Sequence, residues 1–388
     1  METEIIKPAA KTKTIPLKTD LGDVFVLVLL PKLPAFRCEN PLDIKICGRS
    51  ILDSTLTAIG GLPHKQIPVA KSDDILTVVR ANASDRKYTC VIYADTPLLT
   101  ANTFEQAVAF VKSFGHKAAK MPRGWIFETN FIKNAETGVT PEEIPNLPPE
   151  DFIAAYSFSQ LAIITAVMRT RINLGHLAEG VQIIDPNTAY IDAGVTIERG
   201  AVIEPNVYLC GKTSVGKGAQ ITSGAKITDS RIGAGAAIKN SQIVSSEVGE
   251  GTAVGPYANL REGNVIGKNC RVGSFVEFKK VTAGDESKFA HLTYVGDAII
   301  GKDCNIGGGV AFANYNGKTK NQCILGDRVF VGCNSVLVAP LNLANDAYVA
   351  AGSVITKDVP AHALAIARTM QAVKENYWNV KKGSEETE

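Results

Sequence analysis

Three things are scarce in this chain of 388 residues, and each scarcity removes a class of function. Net charge is the first: 41 Lys and Arg stand against 39 Asp and Glu, a balance of +2. So weak a field gives no electrostatic hold on nucleic acid or on an anionic membrane. Histidine is the second, with five residues scattered along the chain and none at the spacing of a zinc site. That also sets aside a β-helix carbonic anhydrase and leaves no metal called for. Long apolar runs are the third, since none reaches the roughly 18 residues of a membrane span. The opening METEIIKPAAKTKTIP is polar and lacks the apolar stretch of a secretory leader. Cysteine is present at positions 38, 47, 90, 210, 270, 304, 323 and 333, without a Cys-x-x-Cys pair. Several of these sit in apolar strand patterns, as in VIGKNCRVG, and read as buried reduced thiols. The chain reads as cytoplasmic.

What is there divides in two. Residues 23–30, DVFVLVLL, and 90–94, CVIYA, are apolar runs of the kind that form buried strands. Between and after them, 50–60 and 103–114 carry apolar residues at helical spacing, so the first half reads as a small α/β layer with a parallel sheet. The stretch 117–149 is rich in proline, glycine and charge and is expected to be irregular. Pro148-Pro149-Glu150-Asp151 then looks like the start of a long helix, with proline and acids where a helix N-terminus favours them. The expected division is 1–149 for the α/β domain, 150–179 for a connecting helical arm, 180–362 for a repeat domain and 363–388 for a tail.

From Ile183 a period of six appears: IDAGVT, IERGAV, IEPNVY, then VGKGAQ, ITSGAK, and later VGEGTA, IGKNCR, VGCNSV. Every sixth residue is Ile, Leu or Val. That period fits neither a helix nor a plain alternating strand, but it suits a left-handed parallel β-helix in which each hexad makes one flat side and stacked aliphatics fill the axis. Two longer units, KKVTAGDESKFAHLTYVGDA and AFANYNGKTKNQC, break the period and are expected to protrude as loops. The first carries His291 among Lys279, Lys280, Lys288 and Tyr294; the second carries Asn314, Tyr315 and Lys320. Histidine has the basicity to deprotonate an amine. Arg261, Lys279 and Lys320 supply fixed cations for a phosphate. Each piece has a plain structural reading too: a packed histidine, solvated edge lysines, an Asn-Gly turn.

GPYANLREG, VGSFVEFKK, SKFAHLTYVGDA, IGKDCNIGGG, ANYNG, VFVGCNSVLVAP, VAAGSVITKDV and ALAIAR, in this order, resemble the acetyltransferase half of the bifunctional N-acetylglucosamine-1-phosphate uridyltransferase/glucosamine-1-phosphate N-acetyltransferase family. The resemblance runs from about Gly180 to Arg368. It implies a homotrimeric β-helix that moves the acetyl group of acetyl-CoA to the amine of glucosamine-1-phosphate. It also implies His291 as catalytic base, steadied by Glu277. Arg261, Lys279, Tyr294, Asn305 and Lys320 would hold the sugar phosphate. Gly308, Asn314, Tyr315, Cys333, Ala351 and Arg368 would hold acetyl-CoA. Three positions depart from the family's habit: Gly308 is alanine in many relatives, Cys333 is often serine, and Asn316 is usually aspartate.

The first half departs further. Where the family has a glycine-rich phosphate loop, this chain has PKLPAFR, and proline lacks the N–H such a loop points at phosphate. The family's magnesium aspartate has a counterpart, Asp95 in YADTPLL, which reads here as a turn residue and a vestigial metal position. The half is expected to be a Rossmann-like, degenerate nucleotidyltransferase domain. Acylation of a different amino sugar, a retained bifunctional activity, and a non-catalytic scaffold are the alternatives. Retention of His291, Glu277 and the phosphate-facing cations argues against the scaffold.

Overall fold

The computed structural model describes residues 19–135 and 139–378. The opening segment weighed as a leader and the end of the tail lie outside them. The chain divides into two compact units, meeting at Ile172 and Asn173.

In the first unit six strands form one sheet, in the order His64–Val69, Val24–Pro31, Tyr88–Tyr93, Gly124–Glu128, Ala118–Met121, Glu142–Glu143. The first three run parallel, and Gly124–Glu128 runs antiparallel to both its neighbours. Val24–Pro31 lies between His64–Val69 and Tyr88–Tyr93. Val26 and Val28 pack on one face with Phe104, Ala107 and Val108, while Leu27 and Leu29 pack on the other with Val79, Phe127 and Ile132. A strand buried on both faces has no polar alternation, hence the apolar run. The helices Ile51–Ile59 and Ala101–Phe114 begin at Ser50 and Thr100, whose hydroxyls accept from the N–H groups of Asp53 and Thr103.

Three expectations are corrected here. The sheet is mixed rather than parallel. The stretch 117–149 is not irregular, because Ala118–Met121 and Gly124–Glu128 are strands that bury Ala119, Met121, Ile126 and Phe127. Pro149–Phe152 forms a 3-10 turn, and the long helix starts only at Phe158 and runs through Gly175 to Ala178. Asp151 does not cap that helix. It is buried, accepts from the hydroxyls of Thr100 and Thr103, and pairs with Arg171. No described helix is long and apolar enough to cross a membrane.

The second unit is a parallel β-solenoid. One side is a sheet of eleven short strands, and a sheet of seventeen wraps the other two. Each coil lies in register on the last: Ile191 on Leu209, Ile197 on Val215, Ile203 on Ile221. These are the hexad aliphatics, and all are buried. Near the middle the axis widens to hold Phe278 and Phe289, edge to face with ring centres 4.8 Å apart.

The first long unit does not protrude. Glu277–Ala283, Lys288–His291 and Tyr294–Ile300 are strands of the ladder, because Phe278, Val281, Phe289, Val295 and Ala298 keep the inward positions filled. Only the second unit leaves the coil. There Tyr315 bridges to Lys320, and the Asn316 side-chain oxygen accepts from the N–H groups of Lys318 and Thr319 at 2.9 and 2.8 Å. The paired Ile300 and Leu325 are thus 25 positions apart.

Candidate functional site

The coil geometry sorts the expected residues into groups. One side of the solenoid carries Asn259, Glu277, Tyr294 and Ala311 in one register column, with Lys279 on Gly296 beside it. Arg261 follows Asn259, and its Nη1 donates to Glu277 Oε1 at 3.2 Å. Lys279 Nζ lies 3.5 Å from Glu262 Oε1. Lys320 folds back from the excursion onto Lys279. Its hydrogen-bond contact with Lys279, and then the charge there, hold Lys320 below the ordinary lysine range. Lys279 moves up, first through the same contact and further through Glu262. Cations crowded in this way favour an anion between them.

A second group runs up one corner. His291 ends its strand in register with Ser274. A Cβ placed on Gly308 in the next coil would come within 3.6 Å of the His291 Cβ. Asn334 N donates to Gly308 O, and Gly352 N donates to Cys333 O, both at 2.8 Å. A Cβ on Gly332 would meet Ala351 N at 2.5 Å, and one on Gly352 would reach Arg368 Cδ at 3.9 Å. Gly308, Cys333, Ala351 and Arg368 therefore follow His291 coil by coil. Four strand spacings make a strip about 19 Å long. Small side chains leave it open. The His291 ring is exposed, and it makes no hydrogen bond among the described residues.

Asn305 stands apart from the cations, on the eleven-stranded side, in register with Lys288 and Phe330. Tyr315 projects from the excursion, with its hydroxyl donating to Gly317 O at 2.7 Å. The carboxylate expected to steady His291 is engaged elsewhere, since Glu277 holds Arg261. One residue was passed over in the sequence: Asp297, whose Oδ2 accepts from Asn314 Nδ2 at 2.6 Å. Its only local signal is the glycine before it, since glycine inside a strand marks a close approach.

In the first unit Asp95 is 1% exposed, and both its oxygens are taken by Arg123, Nε to Oδ1 at 2.9 Å and Nη2 to Oδ2 at 2.6 Å. Burial pushes its carboxyl up, and Arg123 opposes this. That chelate leaves no carboxylate oxygen for a magnesium ion, so the residues present do not fit one. Among the described residues no three His, Cys, Asp or Glu side chains converge as a metal site. In PKLPAFR, Pro34–Phe36 is a 3-10 turn, and the N–H groups of Phe36 and Arg37 are spent on Leu33 O and Pro34 O.

Comparison with known proteins places these observations. Residues 322–357 match the family model described as the hexapeptide repeat of succinyl-transferase. The bifunctional protein GlmU of Clostridium botulinum (strain Kyoto / Type A2) is 45% identical over 237 residues, covering 61% of this chain and 52% of that protein. GlmU of Clostridioides difficile (strain 630) is 46% identical over 237 residues, 61% of this chain and 51% of its own. The chain thus spans about half the length of the curated relatives it matches. Among solved structures, a UDP-N-acetylglucosamine acyltransferase of Francisella novicida aligns with 48% of this chain and 67% of its own, at 16% identity and a TM-score of 0.31. Over the 237 matched residues, this chain is a homologue of the bifunctional GlmU proteins, and residues 322–357 of its solenoid match a hexapeptide repeat.

Proposed function

We propose that the chain transfers the acetyl group of acetyl-CoA to the amine of glucosamine-1-phosphate. The observation that carries this reading is the Arg261, Lys279 and Lys320 cluster on the side that follows the open His291 corner. The cations take the sugar phosphate, with Tyr294 and Asn305 on the sugar. Gly308, Cys333, Ala351 and Arg368 line the path of the CoA arm, with Asn314 and Tyr315 at its far side. His291 takes a proton from the sugar ammonium. The freed amine then attacks the thioester carbonyl carbon, forming the C–N bond as the carbonyl electron pair moves to oxygen. When the carbonyl re-forms, the C–S bond breaks and sulfur leaves with its pair. His291 gives the first proton to solvent and then passes the nitrogen's second proton to the thiolate, so amide and thiol form with one net proton released. Glu277 acts through Arg261, which it holds at the phosphate.

Arg261 and Lys279 lie on a different side from Asn305, so one solenoid cannot close round one ligand. We therefore read the working form as a homotrimer with sites at subunit boundaries. The first unit is read as having lost uridyl transfer, on the strength of the Asp95–Arg123 pair and the proline turn. The reactants imply a cytoplasmic enzyme. A thiol-release assay over a panel of amino-sugar phosphates tests the reading. Turnover highest with glucosamine-1-phosphate is expected. Preference for another amino sugar would overturn the acceptor assignment, and a fully active monomer in sedimentation would overturn the trimer.

A further inference from the structure

Asp297 has no part in the chemistry just described, yet it bonds Asn314 of one group and its charge acts on Lys320 of the other. It sits at a corner of the coil with φ +49°, a left-handed conformation that Asp and Asn adopt more readily than other side chains. Its Oδ2 accepts from Asn314 Nδ2 at 2.6 Å, and Asn314 is 6% exposed. The Asn314 backbone is pinned as well, its N–H donating to Phe312 O and its carbonyl accepting from Asn321 N at 2.7 Å. Asn314 is therefore the fixed root of the excursion that carries Tyr315 and Lys320. The same carboxylate faces Lys320, which it favours as the cation.

Space is tight at this point. A Cβ on Gly296 would lie 2.5 Å from Asn314 Nδ2 and 2.5 Å from Tyr294 Oη. The amide and the phenol share the gap that the glycine leaves, and any side chain at 296 would displace them.

An ionised carboxylate only accepts hydrogen bonds, whereas an amide offers two donors and one acceptor. Turning the Asn314 amide over would set its oxygen against Asp297 Oδ2, so only one of its two orientations is compatible. We propose that Asp297 is a positioning residue that locks the Asn314 amide with its nitrogen inward and its oxygen presented to the ligand, so that the site selects an acyl donor offering an N–H or O–H there. An arm built of amide units, as that of CoA is, meets this requirement. None of the described residues donates to that oxygen, which is left for the ligand. This rests on the acetyl-transfer reading above.

The test compares Asp297→Asn, Asn314→Asp and the double exchange, using steady-state kinetics for each substrate and calorimetry with CoA. Asp297→Asn lets the amide turn over, and its KM for acetyl-CoA should rise about tenfold, the worth of one good hydrogen bond. The KM for the amino sugar should rise less than that for acetyl-CoA, since Asp297 only supports the charge of Lys320, and the thermal midpoint should change little. Asn314→Asp sets two carboxylates face to face and should do worse. The double exchange restores an amide-to-carboxylate bond with an acceptor oxygen outward, and should recover most of the CoA affinity. A donor KM unchanged in Asp297→Asn overturns the inference. So does an equal rise of both KM values with a lowered thermal midpoint, which marks a merely structural bond. A wild-type chain that binds CoA without acetylating any amino sugar overturns the function alone, and the variants' CoA affinities still decide the role of Asp297. A wild-type chain that binds no CoA overturns both.

Discussion

Gly308 lies against His291, close enough that a Cβ on the glycine would stand 3.6 Å from both the Cβ and the carbonyl oxygen of the histidine. That distance is ordinary van der Waals contact, so one methyl fits, while a larger group would extend over the strip beside His291. Gly308→Ala should leave acetyl transfer within about threefold, while Gly308→Leu should block the strip beside the base and cut kcat/KM by about 100-fold. His291→Ala should lower kcat by roughly 100-fold or more, as loss of a general base does. Glu277→Gln, which loosens Arg261, should raise the KM for the sugar phosphate more than it lowers kcat. A His291→Ala enzyme near wild-type turnover would show that another group takes the proton.

Binding of the sugar phosphate should weaken with rising pH earlier than an isolated lysine would allow. Lys320 is held below its ordinary range by Lys279, so it is the first cation of the cluster to lose its charge. KM for the acceptor should climb as that proton leaves, in an alkaline range below the usual lysine value of about 10.4. Lys279→Met removes the cause, and Lys320 should return toward its ordinary range. The break in the KM profile should then move to higher pH, although binding at neutral pH is weaker by one cation. An unmoved break would mean that the two lysines do not share the anion.

Much of the solenoid is legible because its signal repeats: Ile191, Ile197 and Ile203 each occupy the same inward place, and no single misreading displaces the pattern. The excursion at 314–322 is legible for the opposite reason, since nothing in it can fill an inward position. Residues 279–298 mislead, because their charges face outward at the corners while Phe289 and Val295 keep the ladder intact. In the first unit, Ala118–Met121 and Gly124–Glu128 are four and five residues long and are defined by pairings such as Lys120 with Trp125. A Pro- and Gly-rich composition hides strands that short. Asp297 escapes for a similar reason, since its partner Asn314 lies on the next coil and no local spacing connects them.

Arg123→Ala should destabilise the first unit by about 3 kcal/mol at neutral pH, because it leaves the buried Asp95 carboxylate unpaired. The figure is at the low end for a buried pair, since the arginine is 30% exposed. The pH dependence has a definite sign. Burial already raises the Asp95 carboxyl in the folded chain, and losing Arg123 raises it further. A group raised on folding favours the folded state at pH below its unfolded value, and that stability is lost as pH rises through the folded value. The deficit of the variant should therefore shrink on acidification, as Asp95 takes up its proton. Denaturant melts of both proteins across the acidic range will measure this. A constant deficit would mean that Asp95 stays charged without its partner.

The first unit should neither bind nor turn over UTP. A phosphate cradle needs several backbone N–H groups aimed at one point. In PKLPAFR two residues have none, Pro31 and Pro34, and two more, Phe36 and Arg37, donate within the turn itself. The metal that would bridge the phosphates meets the same obstacle at Asp95, whose two oxygens are chelated by Arg123. Freeing Asp95 by Arg123→Ala does not repair the loop, so the two defects are independent and the variant should remain inactive. Incubation with UTP, magnesium and N-acetylglucosamine-1-phosphate should release no pyrophosphate from either protein, and calorimetry with UTP should record no binding heat. Magnesium-dependent synthesis of a UDP-sugar by the wild-type chain would mean that the proline turn opens on binding and that Arg123 swings off Asp95. The chain would then have kept both reactions of its bifunctional relatives.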